Sequence, residues 1–302
     1  EDIKVGDILR VNNDAHTVIV LEVSDAYVVV AEGNISTGDH QGKVHWGRVI
    51  SKDEVMNITS HYITRYPEGY VPPDDPGANE SFANGSLEGG LVWNLTNVGT
   101  LTISGQGAMP DFGSAENQPW SACGSKVRKV VIEEGVTSIG DNAFMNCPVI
   151  SAEIPSSVKT IGDSAFQGCQ NLSSVAVCEG VETIGQNVFR ACTNLTSISL
   201  PASIGEVGDA AFFECTKMKS AEFASGGIQV KMGNSIFARC YELTSVTLPQ
   251  NINCIGEGMF VNCKLLTEVE IPQGAESIGA TAFASCPGLT TVIIPDSVTT
   301  IG

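Results

Sequence analysis

The chain has 302 residues, with 16 Lys and Arg against 34 Asp and Glu, and its formal net charge is −18. Hydrophobic residues make up 42% of the sequence and charged residues 17%, which excludes a disordered chain and leaves ample apolar material for a core. Basic residues are too few to neutralise phosphates, so we expect no nucleic-acid partner. No run of 18 apolar residues occurs, and we therefore expect no membrane span.

Residues 1–70 predict a small, twisted antiparallel β domain. Its strands are expected at 5–11, 16–23, 27–31 and 43–50. Ser51 is placed to cap a short helical turn that runs to Val55. A tight hairpin between the second and third strands pairs Val23 with Tyr27.

The same hairpin brings a polar group together. Counting outward from its loop places His16 opposite Asn34 and Val18 opposite Glu32. His16, Glu32 and Asn34 then share one face of the sheet, with opposed Cβ atoms about 5 Å apart. An imidazole beside a carboxylate and an amide is the base-and-orienter part of a cysteine–histidine–asparagine catalytic site, because the polar partner fixes the imidazole tautomer.

The segments G-D-I-L-R, H-T-V-I-V and V-A-E-G-N around these residues resemble the second half of papain-like cell-wall hydrolases, the CHAP and NlpC/P60 families. The resemblance implies that His16 is the general base and that Glu32 or Asn34 orients it. Those enzymes place the nucleophilic cysteine on a helix before this histidine, whereas the first cysteine here is Cys123. We therefore expect this chain to be inactive as a thiol hydrolase, with its nucleophile either upstream of Glu1 or lost.

Two other interpretations of residues 1–70 stay open, an SH3-like wall-binding barrel and an unclassified β domain. In both, His16 is a polar residue at a strand end, and residues 32–34 form an ordinary turn. Trp46 is typical of barrel packing. The other histidines are more typical of solvated loops or strands than of metal ligands: His40, His45 and His61.

The composition of residues 71–88 indicates a linker, which starts with V-P-P-D-D-P-G. Residues 89–126 predict an N-terminal cap, in which two alternating segments around a turn form a β-hairpin over 90–104. The repeats that follow need such a cover for their open end. We expect Trp93 and Trp120 to pack in the core of this cap rather than to stack on a ligand.

From residue 127 onwards, a unit of about 23 residues repeats as V-x-x-I-G-x-x-A-F-x-x-C-x-x-L-x-x-V-x-I-P, in steps of 22 to 25. The repeated phenylalanines are Phe144, Phe166, Phe189, Phe212, Phe237, Phe260 and Phe283. The cysteines that follow them are Cys147, Cys169, Cys192, Cys215, Cys240, Cys263 and Cys286. One unit cannot bury its apolar side alone, but stacked units align these side chains into interior columns. Each L-x-x-V-x-I segment predicts one strand of a parallel sheet.

This unit resembles that of BspA-like, or treponemal-type, leucine-rich repeat proteins over about residues 127–302. The resemblance implies a bacterial cell-surface or secreted protein, and residues 89–126 are similar to the cap that precedes such repeats in Gram-positive gut bacteria. The predicted fold is mainly β: a leucine-rich repeat solenoid of about 23-residue repeats with an N-terminal β cap, preceded by a small antiparallel β domain. The sequence stops within a repeat at Gly302, which indicates truncation of a longer protein.

The repeat also explains the cysteines. Seven of the ten occupy one repeat position, where a small apolar side chain is needed, so we expect buried free thiols rather than ligands. Cys123 lies off this column, and Cys178 and Cys254 are expected as core substitutions. No C-x-x-C pair occurs, and we predict neither a metal nor another cofactor. Free thiols in an exported protein indicate an anaerobic habitat.

The outward face of the predicted sheet is rich in hydroxyl groups. Its serines and threonines are Ser173, Ser174, Thr196, Ser197, Thr244, Ser245, Thr290 and Thr291. Its only expected charges are Lys219, Glu222, Glu268 and Glu270. Interaction hot spots favour Trp, Tyr and Arg, which this face lacks.

Two functions follow from the sequence. The first is a bacterial surface or secreted interaction protein, in which the solenoid face binds a protein or a glycan such as peptidoglycan. The alternative is an exported cysteine peptidase or amidase that acts on cell-wall peptides and uses the repeats for targeting. Either protein would act outside the cell or on the surface of a Gram-positive, anaerobic bacterium.

Overall fold

The protein is described from a computed structural model, which divides into two compact units, Glu1–Pro72 and Pro73–Gly302. The residues that the structure describes are 79–302 in full and, as backbone strands, 8–11, 16–23, 27–34, 44–51 and 61–64. The helical turn predicted after Ser51, the residue His40 and residues 71–78 of the predicted linker lie outside the described residues.

The first unit contains a five-stranded antiparallel sheet. Its strands are β1 (Ile8–Val11), β2 (His16–Val23), β3 (Tyr27–Asn34), β4 (Val44–Ser51) and β5 (His61–Thr64). Their order across the sheet is β4-β3-β2-β1-β5. The first four match the predicted strands. The fifth was missed because its four residues, H-Y-I-T, are too short to show an alternating pattern.

The second unit begins with the cap. Its strands are β6 (Ser81–Ser86), β7 (Val92–Thr96), β8 (Thr100–Ser104) and β9 (Gly107–Ala108). Three 3₁₀ turns accompany them, at Glu88–Gly90, Ala115–Asn117 and Ser121–Lys126. The predicted hairpin is confirmed, because β7 and β8 pair antiparallel. Strand β6 pairs with β7, so residues 81–86, which we placed in the linker, belong to the cap sheet.

Each rung of the solenoid contributes two short parallel strands. The front sheet consists of β10 (Lys129–Ile132), β12 (Ser151–Ile154), β14 (Ser174–Val177), β16 (Ser197–Leu200), β18 (Ser220–Phe223), β20 (Ser245–Thr247), β22 (Glu268–Glu270) and β24 (Thr291–Ile293). The back sheet consists of β11 (Val136–Ile139), β13 (Thr160–Ile161), β15 (Thr183–Ile184), β17 (Glu206–Val207), β19 (Lys231–Met232), β21 (Cys254–Ile255), β23 (Ser277–Ile278) and β25 (Thr300–Ile301). The front strands were predicted, whereas the back strands are too short to leave a pattern. The cap joins both series of strands, since β8 pairs parallel with β10 and β9 pairs parallel with β11. Strand pairing is interrupted between β14 and β16 and between β20 and β22 at the front, and between β19 and β21 at the back.

A ladder of stacked aromatic rings runs through the core. The repeated phenylalanines stack from rung to rung with ring centroids 5.0 to 5.7 Å apart and interplanar angles of 6° to 27°. Trp120 extends the ladder into the cap, because its ring stacks on Phe144 at 5.4 Å. Trp93 and Phe112 pack edge-on against Trp120 at 6.0 and 5.7 Å. Both tryptophans are buried, so their predicted place in the cap core is confirmed.

A second ladder consists of cysteine thiols. Each repeat cysteine from Cys169 to Cys286 donates its S–H to the carbonyl oxygen of the phenylalanine one rung earlier, at 2.9 to 3.2 Å. The same carbonyl accepts the backbone N–H of its own rung's cysteine, as Phe166 does from Cys169 at 3.2 Å. A small, weakly donating side chain is needed at this position, and cysteine supplies it.

Cys123 follows Trp120 by the three residues that separate each repeat Phe from its Cys, but its thiol donates to the Trp120 carbonyl of its own turn at 3.3 Å and not to a preceding rung, so it lies outside the ladder as predicted. Two other cysteine predictions need correction. Cys178 and Cys254 were expected in the core, but Cys178 is exposed and Cys254 only partly buried. Cys178 occupies the position where most rungs have the proline of I-P, which lies at the surface in this rung.

The I-G dipeptide is explained by the close approach of adjacent rungs. A Cβ atom on Gly208 would lie 2.6 Å from the carbonyl carbon of Gly185 and 2.7 Å from the nitrogen of Gln186. Only glycine fits there without moving the backbone. The residue after the glycine caps the next rung: Asp163 Oδ1 accepts the Gln186 N–H at 2.7 Å, and Asn234 Oδ1 does the same for Glu257 at 2.8 Å.

The aromatic ladder predicts a position-dependent loss of stability. Phe212 is fully buried and stacked on both sides, so Phe212→Ala should lower the free energy of unfolding by about 3–5 kcal/mol. Phe283 is partly buried and stacks on Phe260, so Phe283→Ala should cost roughly half as much or less. Urea unfolding followed by circular dichroism measures both. Equal losses would contradict the ladder as the main support of the core.

Candidate binding surface

The residues predicted as catalytic lie on adjacent strands of the first unit. His16 of β2 pairs with Asn34 of β3, and Val18 pairs with Glu32. The register predicted for these residues is therefore confirmed, while their catalytic role stays a prediction. Strand β3 continues through Asn34, so residues 32–34 form part of a strand and not a turn.

The register differs from the prediction near the hairpin loop. Val23 pairs with Val28 rather than with Tyr27, because the pairing shifts by one residue between Val20 and Glu22. Such an irregularity is a β-bulge, which adds one residue to one strand without changing the composition that a sequence pattern detects.

Two further histidines lie near this pair in the register of the sheet. His45 of β4 pairs with Glu32. Val11 of β1 pairs with His16 on one side and with His61 of β5 on the other. Sequence reasoning placed His45 and His61 apart from the candidate site, because their positions in it depend on strand order, which a single sequence does not reveal.

The outward face of the front sheet is as rich in hydroxyl groups as expected. All eight predicted serines and threonines are exposed, and so are Lys219, Glu222, Glu268 and Glu270. The prediction missed one pair of charges at the cap end of this face. Lys129 Nζ lies 2.6 Å from Glu153 Oε1, on neighbouring strands β10 and β12. Lys129 was overlooked because it belongs to the first rung, whose sequence departs from the repeat.

The strongest concentration of aromatic and cationic side chains lies at one edge of the solenoid. There each rung turns from the aromatic ladder towards the front sheet. The guanidinium carbons of Arg190 and Arg239 lie 4.9 and 5.3 Å from the ring centroid of Phe213. Lys264 Nζ lies 4.6 Å from the ring centroid of Tyr241. We call these five residues the cationic edge.

The sequence analysis did not predict the cationic edge, because it considered only outward residues of the predicted strands. Its residues follow the repeat phenylalanine by one to four positions, in rungs three to six of the stack. Alignment of the repeats on their Phe would have revealed it, since F-R, F-F and F-A-R replace the small or polar residues of other rungs. Glu214 belongs to the same turn and forms an ion pair with Arg239, with Nη1 and Oε1 2.7 Å apart.

Open cavities lie along this side of the solenoid, and two of them are the largest described. One, of about 420 Å³, adjoins the cationic edge, and its wall includes Phe213, Ala238, Arg239, Val261 and Asn262. The other, of about 520 Å³, lies at the cap around Pro148 and has a largely uncharged wall. The wall of the cavity beside the cationic edge is mixed: apolar Phe213, Ala238 and Val261 lie among polar and charged residues that include Arg239 and Glu257.

The described part of the chain contains neither a candidate metal-binding cluster nor a candidate membrane-spanning helix. No group of three His, Cys, Asp or Glu side chains gathers there closely enough to hold a metal ion. Among the same residues, no helix has the length and apolar character needed to cross a bilayer.

The buried thiols of the cysteine column have raised pKa values. Burial, together with the neighbouring Cys123 thiol, raises the pKa of Cys147 to about 12. Burial also raises the pKa of Cys169, Cys192 and Cys215 well above the usual range. Because the thiolate is the nucleophile and the metal ligand, these groups serve packing and not catalysis.

The fold is thus a parallel β-solenoid built from leucine-rich repeats, and comparison with known proteins agrees. The family model described as "BspA type Leucine rich repeat region" matches residues 117–219 and 189–302 with six copies. The chain belongs to this family. Comparison with curated protein sequences gave no match.

Several solved structures are similar. A leucine-rich repeat protein from Bacteroides ovatus shares 27% identity, with a TM-score of 0.52 over 72% of this chain and 55% of that one. The T. pallidum leucine-rich repeat protein shares 22% identity, with a TM-score of 0.45 over 72% and 85%. A leucine-rich repeat protein from Eubacterium ventriosum shares 18% identity, with a TM-score of 0.40 over 70% and 85%. The chain spans about half the length of the B. ovatus protein, whose similarity supports the fold.

The thiol ladder predicts selective alkylation. In the native chain at pH 8, exposed Cys178 should react with iodoacetamide within minutes. Cys147, with a pKa of about 12, has a thiolate fraction of about 10⁻⁴ at that pH and should stay unmodified. Peptide mass mapping reads out each site, and guanidinium-unfolded protein is the positive control. Alkylation of the column at the rate of Cys178 would contradict its burial.

Proposed function

We propose that this chain is the interaction module of a bacterial cell-surface or secreted protein, and that its solenoid acts as an adhesin for a protein or glycan ligand, peptidoglycan among them. The front-sheet face carries this proposal. Eight rungs present regular columns of exposed side chains, and the aromatic ladder behind them holds that surface rigid. A preorganised surface loses little conformational entropy when a ligand binds.

Family membership supports the same location, since the repeats are of the BspA type. We infer a Gram-positive bacterium from the likeness of residues 89–126 to the cap that precedes such repeats in Gram-positive gut bacteria, and an anaerobic habitat from the cysteines. All ten are free in the structure, and partly exposed ones such as Cys254 would be exposed to oxidation in air. The net charge of −18 keeps an extracellular protein soluble and disfavours binding to anionic surfaces in general.

Substitutions on the two sheets test the proposal. Ser197 and Ser245 are exposed on the front sheet. Thr137 is exposed on strand β11 of the back sheet. Ser197→Glu with Ser245→Glu adds two charged side chains to the proposed binding face, and should weaken ligand binding about tenfold or more through desolvation and steric conflict. Thr137→Glu with Thr299→Glu is the matched control on the back sheet and should leave binding unchanged.

The full chain would be applied to arrays of extracellular matrix proteins, mucins and peptidoglycan fragments, and affinities for retained ligands would be measured by surface plasmon resonance. No retention of the wild-type chain on any of them would overturn the proposal. Equal weakening in both double variants would move the binding site away from the front sheet.

A second function is favoured by the register of the first unit. We propose that His16 is the general base of a cysteine peptidase or amidase, oriented by Asn34 or Glu32, with a nucleophilic cysteine in a segment before Glu1. The pairing of His16 with Asn34 supports this arrangement, because an orienting group must lie beside the imidazole.

Cleavage of muropeptides tests the second function. Protein that includes the segment encoded before Glu1 should release amide-cleaved fragments, and His16→Ala should abolish this activity. Asn34→Ala should slow it and alter its pH profile, because the imidazole loses a hydrogen-bond partner. Thr17→Ala, at the neighbouring position that pairs with Gly33, is the matched control. Cleavage that persists in the His16 variant would exclude this role.

A further inference from the structure

The cationic edge and two lysines near it, Lys217 and Lys219, form a basic region in an acidic protein. The chain carries a net charge of −18, yet five of its 16 basic residues follow the repeat phenylalanines of only four adjacent rungs. They are Arg190, Lys217, Lys219, Arg239 and Lys264. Lys217, Lys219, Arg239 and Lys264 are exposed. The acidic residues of the same turns are Glu214 and Glu242. A local excess of positive charge in an acidic protein attracts anionic groups.

The two guanidinium groups are held in place rather than free to move. Both lie against the ring of Phe213, at 4.9 Å for Arg190 and 5.3 Å for Arg239. A guanidinium has five N–H donors. Arg239 directs Nη1 to Glu214 at 2.7 Å, and Arg190 directs Nη1 to Asn187 at 3.4 Å. Within residues 79–302 their other side-chain donors have no protein partner, so both groups retain capacity for a bidentate carboxylate.

The aromatic rings favour a polypeptide over a sugar. Sugars and bases bind aromatic residues by stacking on the ring face. Here cations already lie over the rings, two guanidinium groups over Phe213 and the Lys264 ammonium over one face of Tyr241. The rings therefore act as supports for the cations. Arg and Tyr together are also the residue types enriched at the hot spots of protein–protein interfaces.

The cavity beside Arg239 offers room for one partner side chain. Its volume of about 420 Å³ exceeds that of any single side chain, and Phe213, Ala238 and Val261 form the apolar part of a wall that also includes polar residues and Glu257. An acidic peptide with an apolar residue near its carboxylates would match both features. The charged residues would pair with the arginines while the apolar side chain entered the cavity.

We propose that the cationic edge binds an acidic segment of a partner protein, with partner carboxylates on Arg190 and Arg239 and an apolar partner side chain in the adjacent cavity. This inference rests on the proposed interaction function and names the chemistry of one partner. Because the edge adjoins the front sheet within each rung, one partner can contact both surfaces.

The test uses the full chain and a fluorescein-labelled, Glu-rich peptide that carries one Phe. Fluorescence anisotropy should show saturable binding that weakens as ionic strength rises. Arg190→Gln with Arg239→Gln should lower the affinity about tenfold or more. The matched control is Lys159→Gln with Lys231→Gln, which removes the same charge from back-sheet lysines that also pair with glutamates, at 3.2 and 2.6 Å. It should change the affinity by less than about twofold.

Each other outcome overturns the inference. An equal loss of affinity in both double variants would show that the effect comes from net charge alone. If the wild-type chain did not bind the peptide at all, the proposed site would be excluded. Binding of heparin without binding of the peptide would assign the edge to anionic glycans. The proposed function is judged separately. If the chain binds an array ligand through the front sheet but does not bind the peptide through the arginines, the proposed function stands and only the inference about the edge fails.

Discussion

The spacing between rungs is the constraint on which the rest of this structure depends. Parallel strands hydrogen-bond about 4.8 Å apart, and the stacked rings follow that spacing at 5.0 to 5.7 Å. At this distance a Cβ on Gly208 would meet the backbone of the rung below, and the Cys215 thiol reaches the Phe189 carbonyl at 3.1 Å. The repeated Gly, Phe and Cys are therefore three consequences of one distance, which is why they recur together.

The same constraint explains how much of the fold the sequence reveals. Interior positions must repeat, so the solenoid, its front strands and the burial of Phe212 and Cys215 follow from periodicity alone. Trp120 and Cys123 carry the same spacing but with a different aromatic residue, and a search for Phe overlooks them. The back strands leave no alternation because they are only two residues long in most rungs. They form because the rung below supplies their partners, which is information about the stack and not about any single segment.

The candidate sites were harder to predict, for two different physical reasons. The pairing of His16 with Asn34 follows from counting along a hairpin, and the bulge near Val20 does not disturb it because the shift lies on the loop side. The adjacency of Glu32 and His45 depends instead on strand order. The cationic edge depends on contacts between rungs, such as Arg190 and Arg239 on one Phe213 ring, between residues that lie 23 to 26 positions apart in the sequence.

In such a solenoid, residues that serve a function other than stability are expected at positions where the repeat does not fix the residue type. The interior columns admit almost no variation, because a change in one rung alters its contact with both neighbours. Outward positions are free of that demand, and most hold small hydroxyl residues such as Ser197 and Ser245. Large aromatic and cationic residues at outward positions contribute little to the stability of the stack. An exposed pair such as Arg239–Glu214 adds at most about 1 kcal/mol to the free energy of unfolding, so stability does not explain why these residues are present. Stacking of the rungs therefore does not account for their concentration around Phe213.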